Sequence, residues 1–316
     1  MKKVLVSFIV LAALFSAVSV ISGCQSPPPP AVEEPQPEPP PPPPPPPEPP
    51  APPEPPPAPP EPEPVIPLGL DVTLSPQPFS PDGDGVDDEL TIEIAVTGTL
   101  PVVEWSVVIS EPVAPFLPFY ELRGEGEIPP VITWDGIGDS GDLVHSAIDY
   151  PITITLLNED GESAVYENVV RIDVLVRDEG GVLRVIVPSI IFNAYTSDFS
   201  GLEPDVVENN LRVLGRIAEI LESFGDYQIL VEGHANPTAA PGTRQRAQDE
   251  AGTARRIGLL PLSQARAATV LEHLVELGVA RERLSSVGLG TTRTIVEFED
   301  RDYWWQNRRV EFILQK

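Results

Sequence analysis

The sequence predicts a multidomain chain: a disordered proline-rich linker behind a signal segment, then an all-β sandwich, then an α+β domain. Three observations support this prediction. Proline dominates residues 27–67, strand-like alternation without helical periodicity continues to about residue 178, and helical and strand patterns alternate from residue 182 onward. The predicted boundaries are therefore 1–23, 24–67, 68–180 and 181–316.

The first 23 residues are typical of a secretory signal. A basic start, Met1–Lys3, precedes an apolar run and the small residues before Cys24, which is the single cysteine of the chain. Ile21-Ser22-Gly23-Cys24 resembles the lipobox of bacterial lipoproteins, which implies that Cys24 is acylated and becomes the mature N-terminus. Gln25 after the cysteine favours the outer membrane, with the folded domains in the periplasm. The alternative is a signal peptide that merely contains a cysteine.

The segment 24–67 is predicted to be a tether. Proline fixes φ and lacks a backbone donor, and the glutamates of this segment repel one another, so an extended polyproline II chain is favoured. At about 3.1 Å per residue, such a segment reaches on the order of 120 Å. This length would hold the folded part well away from a membrane.

Residues 68–180 are predicted to form the sandwich, because short alternating segments are separated by Gly, Pro and Asp turns. The predicted strands are 71–74, 90–96, 105–109, 150–156 and 169–176. Phe79–Leu90 and Trp134-Asp135-Gly136 resemble a turn pattern of immunoglobulin-like modules of the flagellar-hook-cap type. The resemblance implies an immunoglobulin-like sandwich.

Four aspartates in one turn of this region suggest a structural Ca²⁺ site: Asp82, Asp84, Asp87 and Asp88. Several carboxylates from one short loop are what a hard cation prefers. The alternative, which we favour, is a tight turn in which these side chains bind their own backbone. No other cofactor is expected. His145 is expected to be an ordinary loop histidine.

Residues 181–316 are predicted to form an α+β domain of order βαβαββ, with a mixed sheet and the helices on one side. The predicted strands are 190–192, 228–234, 284–287 and 311–314, and the predicted helices are 202–224 and 262–277. Ser263 is the expected N-cap of the second helix. Trp304 and Trp305 are expected in the core.

Several segments of this region resemble the OmpA C-terminal family of peptidoglycan-binding domains. The matching segments occur in family order: Phe192, Val231–His234, Leu262-Ser263 with Arg266-Ala267, Gly288–Gly290 and Asn307–Val310. The resemblance implies a non-enzymatic domain that binds the stem peptide of the cell wall. It places the peptidoglycan-binding residues at Asn193, His234, Asn236, Arg266, Asn307 and Arg308. His234 is expected to form hydrogen bonds within the fold.

The ligand site departs from the family pattern. Asn236 and Asn193 stand where the family has aspartates, and Leu259 stands where it has an asparagine. Arg266, expected at the start of a helix, suits a ligand carboxylate because a guanidinium forms two parallel bonds and a helix N-terminus adds positive charge. An amide binds an ammonium more weakly than a carboxylate does. The hypothesis is therefore a carboxylate contact with the amine left in solvent, and the alternative is loss of wall binding.

The segment Pro237–Pro261 has more basic than acidic residues, whereas the chain as a whole is strongly acidic. It contains Arg244, Arg246, Arg255 and Arg256, whereas the chain as a whole has 20 basic and 48 acidic residues. These arginines either attract anionic wall peptides or form ordinary ion pairs on a solvated helix.

The predicted function is a non-enzymatic lipoprotein that tethers a membrane to peptidoglycan. Its expected partners are peptidoglycan, the membrane through the N-terminal lipid, and an envelope protein. A net charge of −28 argues against a nucleic-acid partner. An enzyme would need a nucleophile–base pair or a zinc cluster, which the sequence does not offer. The alternative function is an envelope protein–protein interaction module that no longer binds the wall.

Overall fold

The structure, a computed structural model, describes residues 64–254 and 256–316. The signal segment, Cys24, nearly all of the tether and Arg255 lie outside these residues. Within them, the helices lack the combination of length and apolar content that crossing a membrane requires. The described residues belong to one compact unit, with a β-rich region followed by a C-terminal region in which helices and strands alternate.

The β-rich region contains two antiparallel sheets, with strand orders β1-β2-β5 and β4-β3-β6-β7. Its strands are β1 (Gly69–Ser75), β2 (Leu90–Thr97), β3 (Val102–Ser110), β4 (Pro118–Glu125), β5 (Val131–Trp134), β6 (Asp149–Asn158) and β7 (Ser163–Arg171). Residues from both sheets contribute to one hydrophobic core. In β6, Tyr150, Ile152, Ile154 and Leu156 point into this core because alternate residues of a strand share a face.

The predicted strand 169–176 is wrong in its second half. Strand β7 ends at Arg171, and the backbone beyond it binds loops instead of a sheet neighbour. The Asp173 N–H donates to the carbonyl oxygen of Phe79, and the Leu175 N–H donates to the hydroxyl of Ser146. The Phe79 N–H in turn donates to the Arg171 carbonyl, so Phe79 and Ile172 form an isolated parallel bridge. Strands β4 and β5 were not predicted from the sequence.

The C-terminal region has a five-stranded mixed sheet of order β11-β10-β12-β9-β8, in which only β10 and β11 are parallel. Its elements are β8 (Arg177–Asp178), β9 (Leu183–Val187), α1 (Pro204–Ser223), β10 (Gln228–His234), α2 (Arg244–Ala251), α3 (Leu259–Glu276), β11 (Leu284–Gly290) and β12 (Val310–Gln315). The predicted βαβαββ order is present, with β8 and α2 added. Helices α1 and α3 share one core with the sheet.

The predicted first strand, 190–192, is wrong, because the sheet uses β9 instead. The backbone of Ile191 is occupied by a side chain of α1: its N–H donates to the Asn210 carboxamide oxygen, and its carbonyl accepts from the Asn210 amide nitrogen. Asn210 is fully buried. This reciprocal pair takes the place of a strand neighbour and fixes residues 190–192 as a segment at the end of the sheet.

Helix α3 begins earlier than predicted, at Leu259 with Gly258 as its N-cap. Pro261 falls in the first turn of α3, where the backbone N–H groups need no helical partner, so it does not prevent the helix from beginning at Leu259. Ser263 is therefore inside the helix and is not the N-cap. Its hydroxyl donates to the Leu260 carbonyl and accepts from the Gly290 N–H, which joins α3 to the end of β11.

Two glycines allow α3 to lie directly on the sheet. Gly233 of β10 and Gly288 of β11 are paired neighbours. A Cβ on Gly233 would overlap the carbonyl oxygen of Ser263, and a Cβ on Gly288 would overlap the backbone nitrogen of Gln264. The position of α3, and of every side chain that it carries, therefore depends on this pair.

The two regions are packed against each other. Ala147 and Val174 of the β-rich side belong to the core of the C-terminal region. The His145 ring packs edge-on against Trp305 at 5.1 Å between ring centroids. Burial, followed by the charge of Arg177, lowers the pKa of His145 to about 4, so this ring is neutral at pH 7. His145 lies in a loop, as expected, and its ring is part of the contact between the two regions.

We predict that Gly233→Ala destabilises the protein by about 1–3 kcal/mol, because α3 must move away from the sheet to admit the methyl group. The free energy of unfolding in urea measures this loss. Gly215→Ala is the matched control: Gly215 lies within α1 with no atom near its Cβ position, so this change should stabilise by about 0.5–1 kcal/mol. Equal unfolding midpoints for Gly233→Ala and wild type would contradict the packing described.

We predict that His145 makes stability depend on pH. Its pKa falls from 6.5 to about 4 on folding, so the unfolded chain binds the proton more tightly. The stabilisation is fully present above about pH 6.5 and decreases towards pH 4, with a loss on the order of 1–2 kcal/mol at pH 5. Urea unfolding of wild type and His145→Gln at pH 7 and pH 5 tests this. The loss between the two pH values should be smaller in the variant, and an identical loss would refute the assignment.

Candidate functional site

A cavity of about 530 Å³ lies where the end of β10 meets the β-rich region. This volume is in the range of about 300–1,000 Å³ that is common for ligand pockets. Apolar side chains form much of its wall, among them Ile148, Ile190 and Trp305. Its charged or polar wall residues are Asp149, Ser189, Asn209, Arg212, His234, Arg266, Arg308 and Arg309.

Arg266 is held in this wall by backbone carbonyl groups. Its Nε donates to the Thr196 carbonyl at 2.9 Å, and one Nη donates to the Asn193 carbonyl, also at 2.9 Å. The guanidinium lies over the Phe192 ring, 5.0 Å from its centroid. Since α3 begins at Leu259, Arg266 is two turns into the helix and not at its start. The expected contribution of the helix N-terminus to anion binding is therefore wrong.

The charge of Arg266 is not neutralised by a carboxylate in the described part of the chain. Burial, with a smaller contribution from the charge of Arg308, lowers its pKa to about 10, so it stays protonated at pH 7. Arg308 also lines the cavity, and its side chain has no ion pair within residues 64–254 and 256–316. Two cations that line one cavity and form no ion pair among the described residues favour an anionic ligand.

Three of the six expected peptidoglycan-binding residues line the cavity: His234, Arg266 and Arg308. Asn193 contributes through its backbone, because its carbonyl accepts from Arg266 while its side chain donates to the Ser200 carbonyl. Asn236 and Asn307 are buried outside the cavity wall. The six residues are thus divided between the cavity wall and the structure behind it.

Asn236 and Asn307 bind each other. The Asn307 amide nitrogen donates to the Asn236 carboxamide oxygen at 3.1 Å. The Asn307 oxygen accepts from the N–H groups of Ile295 and Val296, and this side chain is fully buried. Asn307 therefore organises the loop between β11 and β12. Neither amide faces a ligand in the cavity.

His234 belongs to a buried charged cluster on the sheet. Its Nε2 lies 3.7 Å from a Glu232 oxygen and 3.5 Å from a Glu311 oxygen. Neither ring nitrogen has a hydrogen-bond partner among the described residues, so the expected internal hydrogen bond is wrong. Burial, followed by the charge of Arg309, lowers the pKa of His234 to about 4, and the ring is neutral at pH 7.

The geometry of this cluster would allow a metal, but its charges oppose one. The ligand atoms of Glu232, His234 and Glu311 lie within 4.8 Å of one another. Glu311 is already bound by Arg309, with Nε to Oε1 at 2.6 Å, and by Arg184. Arg293 is paired with Glu232 at 3.2 Å. Three guanidinium groups around two carboxylates leave no net negative charge to attract a cation.

Of the four aspartates suggested for Ca²⁺, three come together: Asp82, Asp84 and Asp88. Asp87 is not part of the group. Both oxygens of Asp88 accept backbone N–H groups, from Gly83 and Gly85 at 2.7 Å each. Asp84 accepts from the Val86 N–H at 2.8 Å. These bonds are those of a tight turn, so the turn accounts for the side chains of Asp84 and Asp88, whereas Asp82 accepts from the Val176 N–H outside the turn.

Two of the four arginines in the segment between the family motifs form internal contacts. Arg246 binds the hydroxyl of Thr291 and pairs with Glu250 at 3.4 Å. Arg256 pairs with Asp249, which is buried. These pairs favour the ordinary ion-pair interpretation for Arg246 and Arg256. Arg244 is exposed, and Arg255 lies outside the described residues.

Sequence reasoning missed Asn210, Arg212 and Asp149. Asn210 and Arg212 lie on α1, within an otherwise ordinary amphipathic pattern, and Asn210 occupies a core position. Asp149 begins β6, far from the C-terminal region in sequence. Only the packing of the two regions brings it to the cavity. The prediction that Trp305 is a core residue agrees with its burial, although it also lines the cavity.

Comparison with known proteins gives a family for part of the chain. Residues 203–302 match the OmpA family. A peptidoglycan-associated lipoprotein of Mesorhizobium japonicum is 38% identical over 97 residues, which is 31% of this chain and 49% of that protein. The peptidoglycan-binding protein ArfA of Mycobacterium bovis is 28% identical over 121 residues, which is 38% of this chain and 31% of that protein. The chain thus spans half or less of the length of these relatives.

Among solved structures, the peptidoglycan-associated lipoprotein from Burkholderia pseudomallei is similar, with 26% identity and a TM-score of 0.28. The alignment covers 40% of this chain and 86% of that one. The family match falls on the region that contains α1, α3 and Arg266. The C-terminal region of this chain is therefore an OmpA-like domain with homology to peptidoglycan-associated lipoproteins.

Proposed function

We propose that this chain is a non-enzymatic envelope lipoprotein that tethers a membrane, the outer membrane, to peptidoglycan by non-covalent binding of the stem peptide. The relatives of its OmpA-like domain are named for association with peptidoglycan or for binding it, and not for a reaction. The observation that carries the proposal is the guanidinium of Arg266 in the cavity wall.

The stem peptide carries carboxylate groups, and Arg266 has no carboxylate partner among the described residues. Arg266 is fixed by two carbonyl groups and by the Phe192 ring, so binding an anion costs little further ordering of the side chain. A peptide carboxylate would form charge-assisted bonds to Arg266, and Arg308 adds a second positive charge at the same cavity. The position of Asn236, bonded to Asn307 outside the wall, is in keeping with recognition centred on the carboxylate.

The remaining parts of the proposal rest on the sequence. Cys24 would carry the lipid, and residues 24–67 would be a disordered tether that spans the distance to the wall. Residues 68–180 would be an immunoglobulin-like sandwich that docks an envelope protein. Two sheets with a shared core support this fold.

We predict that Arg266→Ala lowers the affinity for peptidoglycan about tenfold or more, since a hydrogen bond to a charged group contributes about 1.5–3 kcal/mol. Co-sedimentation of the purified full-length protein in detergent with sacculi, over a range of sacculus concentrations, measures this. Arg123→Ala is the matched control, because Arg123 is an exposed arginine of β4 paired only with Glu121.

The same experiment tests the alternative function. Saturable binding by wild type and Arg123→Ala, with loss in Arg266→Ala, supports a wall anchor. If folded wild-type protein does not bind sacculi, the tether function is refuted. The chain would then be an envelope protein–protein interaction module with an OmpA-like fold.

We predict that Cys24→Ser moves the protein from the membrane fraction to the soluble envelope fraction, because acylation of the cysteine would be its attachment to the bilayer. Fractionation and labelling with a radioactive fatty acid measure this. Ser26→Ala, which keeps the cysteine, is the control and should remain labelled and membrane-bound. Retention of Cys24→Ser in the membrane would show that attachment does not depend on this residue.

A further inference from the structure

Asp149 is an unexpected part of the cavity wall. It is the first residue of β6, in the β-rich region, yet it lines the same cavity as Arg266 and Arg308 of the OmpA-like domain. Its carboxylate has no hydrogen bond or ion pair within the described residues. Burial raises the pKa of Asp149 above its usual value, and the charges of Arg212 and Arg171 oppose this effect.

The other acidic and neutral groups around this cavity are already used. Glu311 and Glu232 are bound by arginines of the sheet cluster, and His234 is neutral. Arg309, which also faces the cavity, is neutralised by Glu311. The charges left for a ligand are therefore the cations Arg266, Arg308 and Arg212, and one carboxylate, that of Asp149.

The backbone around Asp149 holds it in place. Asp149 pairs with Arg171 of β7, and the next residue, Tyr150, is fully buried in the core. The Tyr150 hydroxyl accepts from the His145 N–H at 3.0 Å, which fixes the loop that leads into β6. A carboxylate on such a support is placed by the fold and not by a mobile loop.

A wall in which both signs of charge are unpaired fits a zwitterion. We propose that Asp149 binds the ammonium group of a stem-peptide amino acid whose carboxylate binds Arg266, so that the β-rich region completes the ligand pocket of the OmpA-like domain. This inference rests on the proposed function and specifies its ligand: a diamino acid with a free amine and a free carboxylate. It also supplies an acid to a site in which Asn236 and Asn193 offer none.

The test compares two synthetic ligands by isothermal titration calorimetry with the full-length protein. One is the tripeptide L-Ala-γ-D-Glu-meso-diaminopimelate, and the other is the same tripeptide with its diaminopimelate amine acetylated. We expect wild type to bind the free amine about tenfold more tightly, as a charge-assisted bond to an ammonium predicts. Asp149→Asn should lose this preference and bind both peptides equally.

Asp226→Asn is the matched control, since Asp226 is an exposed aspartate between α1 and β10 whose side chain forms no hydrogen bond or ion pair within the described residues. It removes the same charge and should keep the preference. Binding of the acetylated peptide by Asp149→Asn, at wild-type affinity, shows that this variant is folded.

The outcomes separate this inference from the proposed function. If wild type binds both peptides through Arg266 but Asp149→Asn keeps the tenfold preference, the role of Asp149 is refuted and wall binding stands. If wild type binds neither peptide, and does not sediment with sacculi, both are refuted. If wild type binds the two peptides equally, the ammonium is not recognised and the role of Asp149 is again refuted.

Discussion

The candidate site depends on the guanidinium of Arg266, which is held in place by backbone carbonyl groups and not by a carboxylate. Arg266 is fixed by the carbonyl groups of residues 193 and 196. These residues follow Ile191, whose backbone is bound by the Asn210 side chain instead of by a neighbouring strand. The distance of Arg266 from the sheet is set by Gly233 and Gly288, which let α3 approach the sheet closely. Carbonyl groups orient a cation but do not neutralise it. The pocket therefore keeps a positive charge whose most favourable partner is an anion from outside.

The cavity belongs to both regions of the chain. Ile148 and Asp149 of the β-rich region form one side of it, and Arg266 and Arg308 form the other. Ala147 lies within the core of the C-terminal region, so this contact is continuous with the packed interior. An OmpA-like domain taken alone would lose part of its pocket wall. The two regions therefore form one continuous packed structure.

Much of the fold could be predicted from local patterns, and the errors have physical causes. The alternation of apolar residues in β6 and their helical spacing in α1 predicted the right elements, because each element buries one face. Residues 190–192 look like a strand, but their backbone is satisfied by a side chain 19 residues away, which no local pattern reveals. Arg266 could be identified from its motif. Asp149 could not, because its place in the site depends on packing between regions.

The parallel bridge between Phe79 and Ile172 bears on how the chain would carry tension. Its two hydrogen bonds, at 2.8 and 2.9 Å, join the segment that follows β1 to the segment by which the chain leaves the β-rich region. A pull directed along the chain, from the N-terminal side towards the OmpA-like domain, would load both bonds together in shear instead of opening them one after the other. The bridge would thus act as a mechanical clamp, which keeps Asp149 beside the OmpA-like domain while the chain is under load.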